Sequence, residues 1–273
     1  MADIVKTIKE ELTLEKVLLT AIKTPGVKIR RSVFLRKELL KYCPEETINR
    51  AIQTNPAQAG ISKDIINKVS KKVIDYETTK VTALSVAASL PSAGVAAVGA
   101  AAADITSYFV FILRTVQELA YLYGFEQFDF SDETVDSETM QFVLLFLGVM
   151  FGVRGAAAAL QKLAAKIAEK VAKDLARKAL MKGAIYPIIK RIATQVGIRM
   201  TKQVFADVVA SAVPVAGSVV SGGLTFAMFR PCCMKLRRNL MSFNLCDPEY
   251  YKAISAESIN EGTIQDQHDT PEE

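Results

Sequence analysis

Apolar residues recur at helical spacing through the first 80 positions. Ile4, Val5, Ile8 and Leu12 share one face, and Thr13 is placed to cap a second helix carrying Leu14, Val17, Leu18 and Leu19. Thr24-Pro25-Gly26 interrupts that helix. Phe34, Leu35, Leu39 and Leu40 mark a third, closed by Cys43-Pro44; Pro44-Glu45-Glu46 opens a fourth, which Asn55-Pro56 ends. Between Ile61 and Tyr76, the positions Ile65, Ile66, Val69, Val73 and Ile74 outline an amphipathic helix with Ser62 at its start. No segment shows the period of two expected of a half-buried strand.

Beyond position 80 the pattern changes from periodic to three charge-free tracts. Val81 to Ala103 has 23 residues, a length that spans a bilayer. Its hydrophobicity comes from alanine, however, and Ser85, Ser89, Ser92 and the helix-breaking Pro91 dilute it. Phe142 to Val153, FVLLFLGVMFGV, is too short at 12 residues to cross alone, and fits a buried core helix and a membrane-dipping wedge alike. Val208 to Phe229 has 22 residues, diluted by Pro214, Gly217, Gly222 and Gly223. Arg230, Lys235, Arg237 and Arg238 follow it, and mark the cytoplasmic side if the tract enters a bilayer.

The first and third tracts share an opening. Pro91, Gly94 and Gly99 are matched by Pro214, Gly217 and Gly222 at an offset of 123 residues, and the same offset carries Arg114 onto Arg237. Two copies of this kind predict paired helical hairpins whose small-residue faces allow close helix approach. No Gly-Lys-Ser/Thr follows either glycine pair, so neither is a phosphate loop.

Charge refines this picture. The net charge of +5 conceals a polarised chain: residues 154–202 hold 12 Lys and Arg against two acids, and residues 241–273 hold eight acids against one lysine. Within the cationic belt, Lys162, Lys166, Lys170, Lys173 and Arg177 fall on one helical face beside an apolar face of Leu160, Leu163, Ile167, Val171 and Leu175. A second cationic helix adds Lys190 and Arg191. Such helices suit an anionic membrane surface, and equally a soluble helix whose lysines face water. Tyr186 is the only aromatic residue between Phe151 and Phe205, and no nucleic-acid module is present, so no nucleic-acid partner is expected.

The candidate chemistry is sparse. The single histidine, His268, lies in a polar tail, which removes His-based triads, His zinc sites and the commonest general base. Four cysteines without Cys-x-x-Cys spacing fit a reduced, cytoplasmic protein, and the charged N-terminal stretch contains no signal-peptide core. No catalytic residue, metal or cofactor is expected. Asp104, inside an apolar tract, reads as a structural polar contact or a cap, and as a ligand-facing acid less often. Arg114 and Glu118 form an i, i+4 pair that either lies on a helix surface or is half-buried and shapes a site. Cys232-Cys233, between an apolar tract and basic residues, fits core packing better than S-acylation.

Four segments bear a likeness to a known family: Phe34-Leu-Arg-Lys-Glu-Leu39 with Ala57-Gln-Ala-Gly60 downstream; Leu90-Pro91 through Ala103-Asp104; Leu119-Ala120 to Tyr123-Gly124; and Ala212-Val-Pro-Val-Ala-Gly217. On these residues the chain resembles the EcsC family of bacterial proteins over roughly positions 30–240. Ser92-Ala93 departs from the more Gly/Pro-rich turn of the family, and the acidic tail is a further departure. The resemblance implies a helical bacterial protein from a family whose name is linked with an ABC transporter system. It implies no catalytic residues.

The sequence therefore predicts an all-α multi-helix bundle with two Ala/Gly-rich hydrophobic hairpins and a basic amphipathic helix. It divides into amphipathic helices over 1–80, a hairpin core with a cationic arm over 81–240, and an acidic, largely disordered tail over 241–273. The expected function is association with the inner face of the cell membrane through anionic lipids, in an accessory, remodelling or defence role, with a homo-oligomer or membrane-protein partner. The alternative is a soluble helical protein that encloses a hydrophobic or lipid ligand between its hairpins. Lys162, Lys166, Lys170, Lys173, Arg177, Lys190 and Arg191 are the candidate lipid-binding residues. Pro91, Gly94, Gly99, Asp104, Arg114, Glu118, Pro214, Gly217 and Gly222 are the candidate packing or pocket residues.

Overall fold

The computed structural model describes residues 14–88, 97–131, 138–172, 191–192, 194–196 and 217–256, with the side chains at 85–88, 97–105 and 217–226 left undescribed. Every element described is helical: α1 (Leu14–Lys23), α2 (Arg31–Leu39), α3 (Glu45–Gln53), α4 (Lys63–Ala88), α5 (Ala97–Leu122), α6 (Glu138–Met150), α7 (Ala156–Ala172) and α8 (Gly217–Leu240). A 3-10 turn at Asn244–Cys246 and a helical stretch over 248–256 follow. The protein is all-α, as its periodicity predicts.

Local chemistry explains most of the boundaries. Thr24-Pro25-Gly26 ends α1, with Gly26 at φ +83°, a conformation that costs glycine little. Pro44 precedes the first residue of α3, and α3 stops just before Asn55-Pro56. Ser62 caps α4: the Ile65 amide donates to its Oγ at 3.4 Å. At the far end of α5 the Phe125 amide bonds to Ala120 O at 2.9 Å, and Gly124 takes φ +96°; together these form a Schellman closure of the Tyr123-Gly124 stop.

The long helices show how packing extends the sequence pattern. Instead of ending near Tyr76, α4 runs on to Ala88, so the expected domain boundary at 80 falls inside a helix. The apolar face of α2 also ends early, because Leu40 lies just past the helix with 58% of its surface exposed. Likewise α8 continues through Arg230 and Pro231 to Leu240, so Arg230, Lys235, Arg237 and Arg238 extend the helix instead of flanking it. A proline there removes one backbone donor but leaves its φ compatible with a helix.

One hydrophobic cluster runs from Leu14 on α1 to Tyr251 near the C-terminal end of the described chain. Helix α6 is its most deeply buried element, with Met140 and every residue from Val143 to Met150 buried. In this structure the short FVLLFLGVMFGV tract is thus a core helix. Gly148 lets it in: a Cβ there would come within 2.8 Å of Ala156 Cβ and 2.7 Å of Ile192 Cδ1. The start of the acidic tail is folded as well. Leu245 and Tyr251 are buried, the Asn55 side-chain amide donates to the Tyr251 hydroxyl at 2.9 Å, and Lys63 pairs with Asp247 at 2.7 Å. The remaining tail, 257–273, lies outside the described residues.

Candidate functional site

Helix α4 is the centre of the polar architecture. Its buried stripe Ile66, Val69, Val73 and Ile74 is interrupted at two fully buried polar positions, Ser70 and Glu77, seven residues apart on one face. A polar group in such a stripe needs a partner. Each finds one on a neighbouring helix, and each partner is an arginine.

Glu77 faces α5, where Arg114 Nη2 approaches Oε1 at 3.1 Å and Nε reaches Oε2 at 3.4 Å. Arg114 also bonds to the Gly26 carbonyl, which ties in the turn after α1. Glu118, one turn along α5, stands 3.6 Å from Arg114 Nη2 through Oε1, and its buried Oε2 has no hydrogen-bond partner. Burial foremost, then the Glu77 carboxylate, push Glu118 well above the usual glutamate range, and Arg114 offsets this only in part. One guanidinium is shared by two acids, and the nearer acid takes most of it.

Ser70 faces α8. Its Oγ accepts a hydrogen bond from Arg237 Nε at 2.9 Å and lies 3.0 Å from the Tyr123 hydroxyl, which donates to Asn67 Oδ1 at 3.3 Å. Arg237 Nη2 reaches the Asn67 carbonyl at 3.5 Å. Burial raises the Tyr123 hydroxyl to about 12. Arg237 is only 5% exposed, yet it forms no ion pair among the described residues, and its Nη1 has no partner and keeps solvent contact.

Above Arg237 an open groove of about 780 Å³ runs between α4 and α8, lined by Asp64, Asn67, Lys68, Lys71, Lys72 and Asp75 from α4 and by Arg237 and Met241 from the α8 end. Two of these charges are already paired, Lys72 with Glu38 at 3.2 Å and Asp75 with Arg230 at 2.9 Å. Lys68 sits 5.2 Å from the centre of the Tyr42 ring, and exposed Lys71 has no partner among the described residues. Setting aside the paired groups, three cations face one carboxylate, Asp64. The groove is electropositive, with a nearly buried guanidinium at its floor.

The expected lipid-binding lysines lie elsewhere. On α7, Leu160, Leu163, Ile167 and Val171 pack into the core, which leaves Lys162 and Lys166 exposed and Lys170 half-buried. Arg191 is exposed beside Ile192, whose side chain meets Gly148 at the α6–α7 corner. Lys173, Arg177 and Lys190 lie outside the described residues, as do Pro91, Gly94 and Pro214. Gly99 and Asp104 fall on α5, and Gly217 and Gly222 on α8, with their surroundings undescribed. Asp104 is therefore inside a helix that begins at Ala97, not at a helix start. Of the expected site residues, the structure brings Arg114 and Glu118 together. Cys233 is fully buried and Cys232 half-buried against the core, an arrangement of packing residues.

Residues 67–71 and 237 were not singled out as a site by sequence reasoning, although one signal was present. Ser70 and Glu77 interrupt the apolar face of α4, and a buried polar position announces an unseen partner. Among the described residues no helix is long and apolar enough to cross a membrane, and no group of His, Cys, Asp or Glu could hold a metal ion. Comparison with protein-family models, characterised proteins and solved structures finds no match to this chain.

Proposed function

We propose that this is an EcsC-like bacterial protein that binds the inner face of the cell membrane peripherally, through anionic lipid headgroups, in an accessory role. The arrangement of α7 carries this reading. Its apolar face is committed to the protein core, so the exposed Lys162 and Lys166 present charge without offering a greasy face for insertion. Contact with a membrane is then electrostatic, at about 1 kcal/mol per surface-proximal cation, and sensitive to salt.

The test is co-sedimentation with phosphatidylcholine vesicles with and without phosphatidylglycerol, over a salt titration. Binding that requires phosphatidylglycerol, fades with salt and weakens in Lys162→Glu/Lys166→Glu supports the proposal. No binding, or binding indifferent to salt and to those substitutions, overturns it.

A further inference from the structure

We propose that the groove between α4 and α8 is a binding site for a phosphate-bearing anion, with Arg237 at its floor and Lys68 and Lys71 at its rim. The argument begins with the cost of burying a cation. A guanidinium removed from water needs a counter-charge or a full set of acceptors. Arg237 has no counter-charge among the described residues: it is 5% exposed, its Nε and Nη2 bond to neutral oxygens of Ser70 and Asn67, the neutral Tyr123 hydroxyl lies beside it, and no hydrogen bond is made by Nη1. The two bonds it does make hold the fork still on the Ser70–Asn67–Tyr123 scaffold, and Arg237 lines the groove with that fork fixed. A pre-positioned guanidinium with free donors beside two lysines is the donor set that phosphate oxygens take up.

Asp64 lines the same groove and repels an anion, but it forms no ion pair with Lys68 or Lys71; Lys71 has no partner among the described residues, and the Lys68 ammonium, 5.2 Å from the centre of the Tyr42 ring, carries no carboxylate. The volume of about 780 Å³ exceeds the needs of a phosphate alone and leaves room for the group that carries it. A phosphomonoester on a small molecule and one on a lipid headgroup present the same chemistry here. The inference does not rest on the membrane reading, because the groove residues are separate from the lysines of α7.

The experiment uses the full chain and two probes. Inorganic phosphate is added in a thermal-melting assay against chloride of equal ionic strength, and phosphatidic acid vesicles are compared with phosphatidylglycerol vesicles in co-sedimentation. Phosphate is expected to raise Tm. Lys71→Ala, an exposed substitution that leaves the core intact, weakens binding about fivefold, and Arg237→Lys, which keeps the charge but loses the fork, about tenfold. Lys162→Ala/Lys166→Ala leaves the phosphate response unchanged. A rise with phosphate that follows Arg237 and Lys71 supports a soluble phosphate ester as ligand. Preference for phosphatidic acid vesicles that follows the same residues, with no response to free phosphate, supports a headgroup. The absence of both responses, or responses indifferent to Arg237→Lys and Lys71→Ala, overturns the proposal.

Discussion

Arg114 Nη2 lies 3.1 Å from Glu77 Oε1, and Glu77 is fully buried, so this ion pair locks α5 to α4 inside the core. Removing the acid leaves the half-buried Arg114 guanidinium with only the more distant Glu118 carboxylate and the Gly26 carbonyl. Glu77→Ala is expected to cost about 3 kcal/mol of unfolding free energy in urea titrations. Glu77→Gln, which keeps an acceptor, should cost less. A loss below about 1 kcal/mol for Glu77→Ala would show that the pair contributes no more than an exposed one.

The neighbouring Glu118 gives the fold a pH dependence of defined sign. Its folded carboxyl titrates well above the ordinary value of 4.5, because of burial first and the Glu77 carboxylate second. Between those two values the folded chain holds a proton that the unfolded chain has released, so stability falls as pH rises through that window. Glu118→Gln removes this slope and is at least as stable as the parent at neutral pH. Equal pH–stability profiles for the two proteins would refute the assignment.

Arg31 is a clamp that no sequence pattern marks. Its guanidinium donates to the carbonyls of Phe125 at 3.0 Å, Ile52 at 2.7 Å, Ala51 at 3.0 Å and Thr54 at 3.1 Å, thereby closing the end of α3 and the turn after α5. Arg31→Ala leaves these acceptors without their shared donor and is expected to lower stability by about 3 kcal/mol. Arg31→Lys should rescue little, because an ammonium cannot reproduce the fork. Wild-type stability in the lysine variant would show that charge, not geometry, matters here.

Tyr121 and Tyr123 are both raised to about 12, chiefly by burial. Between pH 10 and that value the folded chain keeps protons that the unfolded chain loses, so stability declines as pH rises through this window. Ultraviolet titration should show these two phenols ionising late, together with alkaline unfolding. Tyr123→Phe should lose one late phenol and loosen Arg237, while Tyr121→Phe should leave the groove intact. Normal ionisation of all the tyrosines in the folded protein would contradict the packing around both residues.

The two arginines show how far the sequence could be read. The offset of 123 residues pairs Arg114 with Arg237, and both turn out to face α4, at Glu77 and Ser70 respectively. The offset aligned the two arginines but gave neither a partner, and Arg237 was not singled out as a site residue. Conversely, the exposure of Lys162 and Lys166 on α7 was plain from spacing alone, because lysines that face water follow the helical period. The site on the groove was hidden. Lys68 and Lys71 look like any solvated face until α8 comes alongside and brings Arg237 into the same groove.

The sequence by itself determined the helical class, the breaks at Pro25-Gly26, Pro44 and Pro56, and, Leu40 apart, which face of the described amphipathic helices turns inward; the expected helix over 4–12 lies outside the described residues. Those properties depend on residues within a turn or two, where backbone dihedrals and apolar period act locally. Tertiary structure alone decided that α4 runs through position 80 to Ala88, that the start of the acidic tail packs through Tyr251, and that Ser70 meets an arginine 167 residues away. A buried polar side chain demands a partner, but only the packing of distant helices chooses which one it receives.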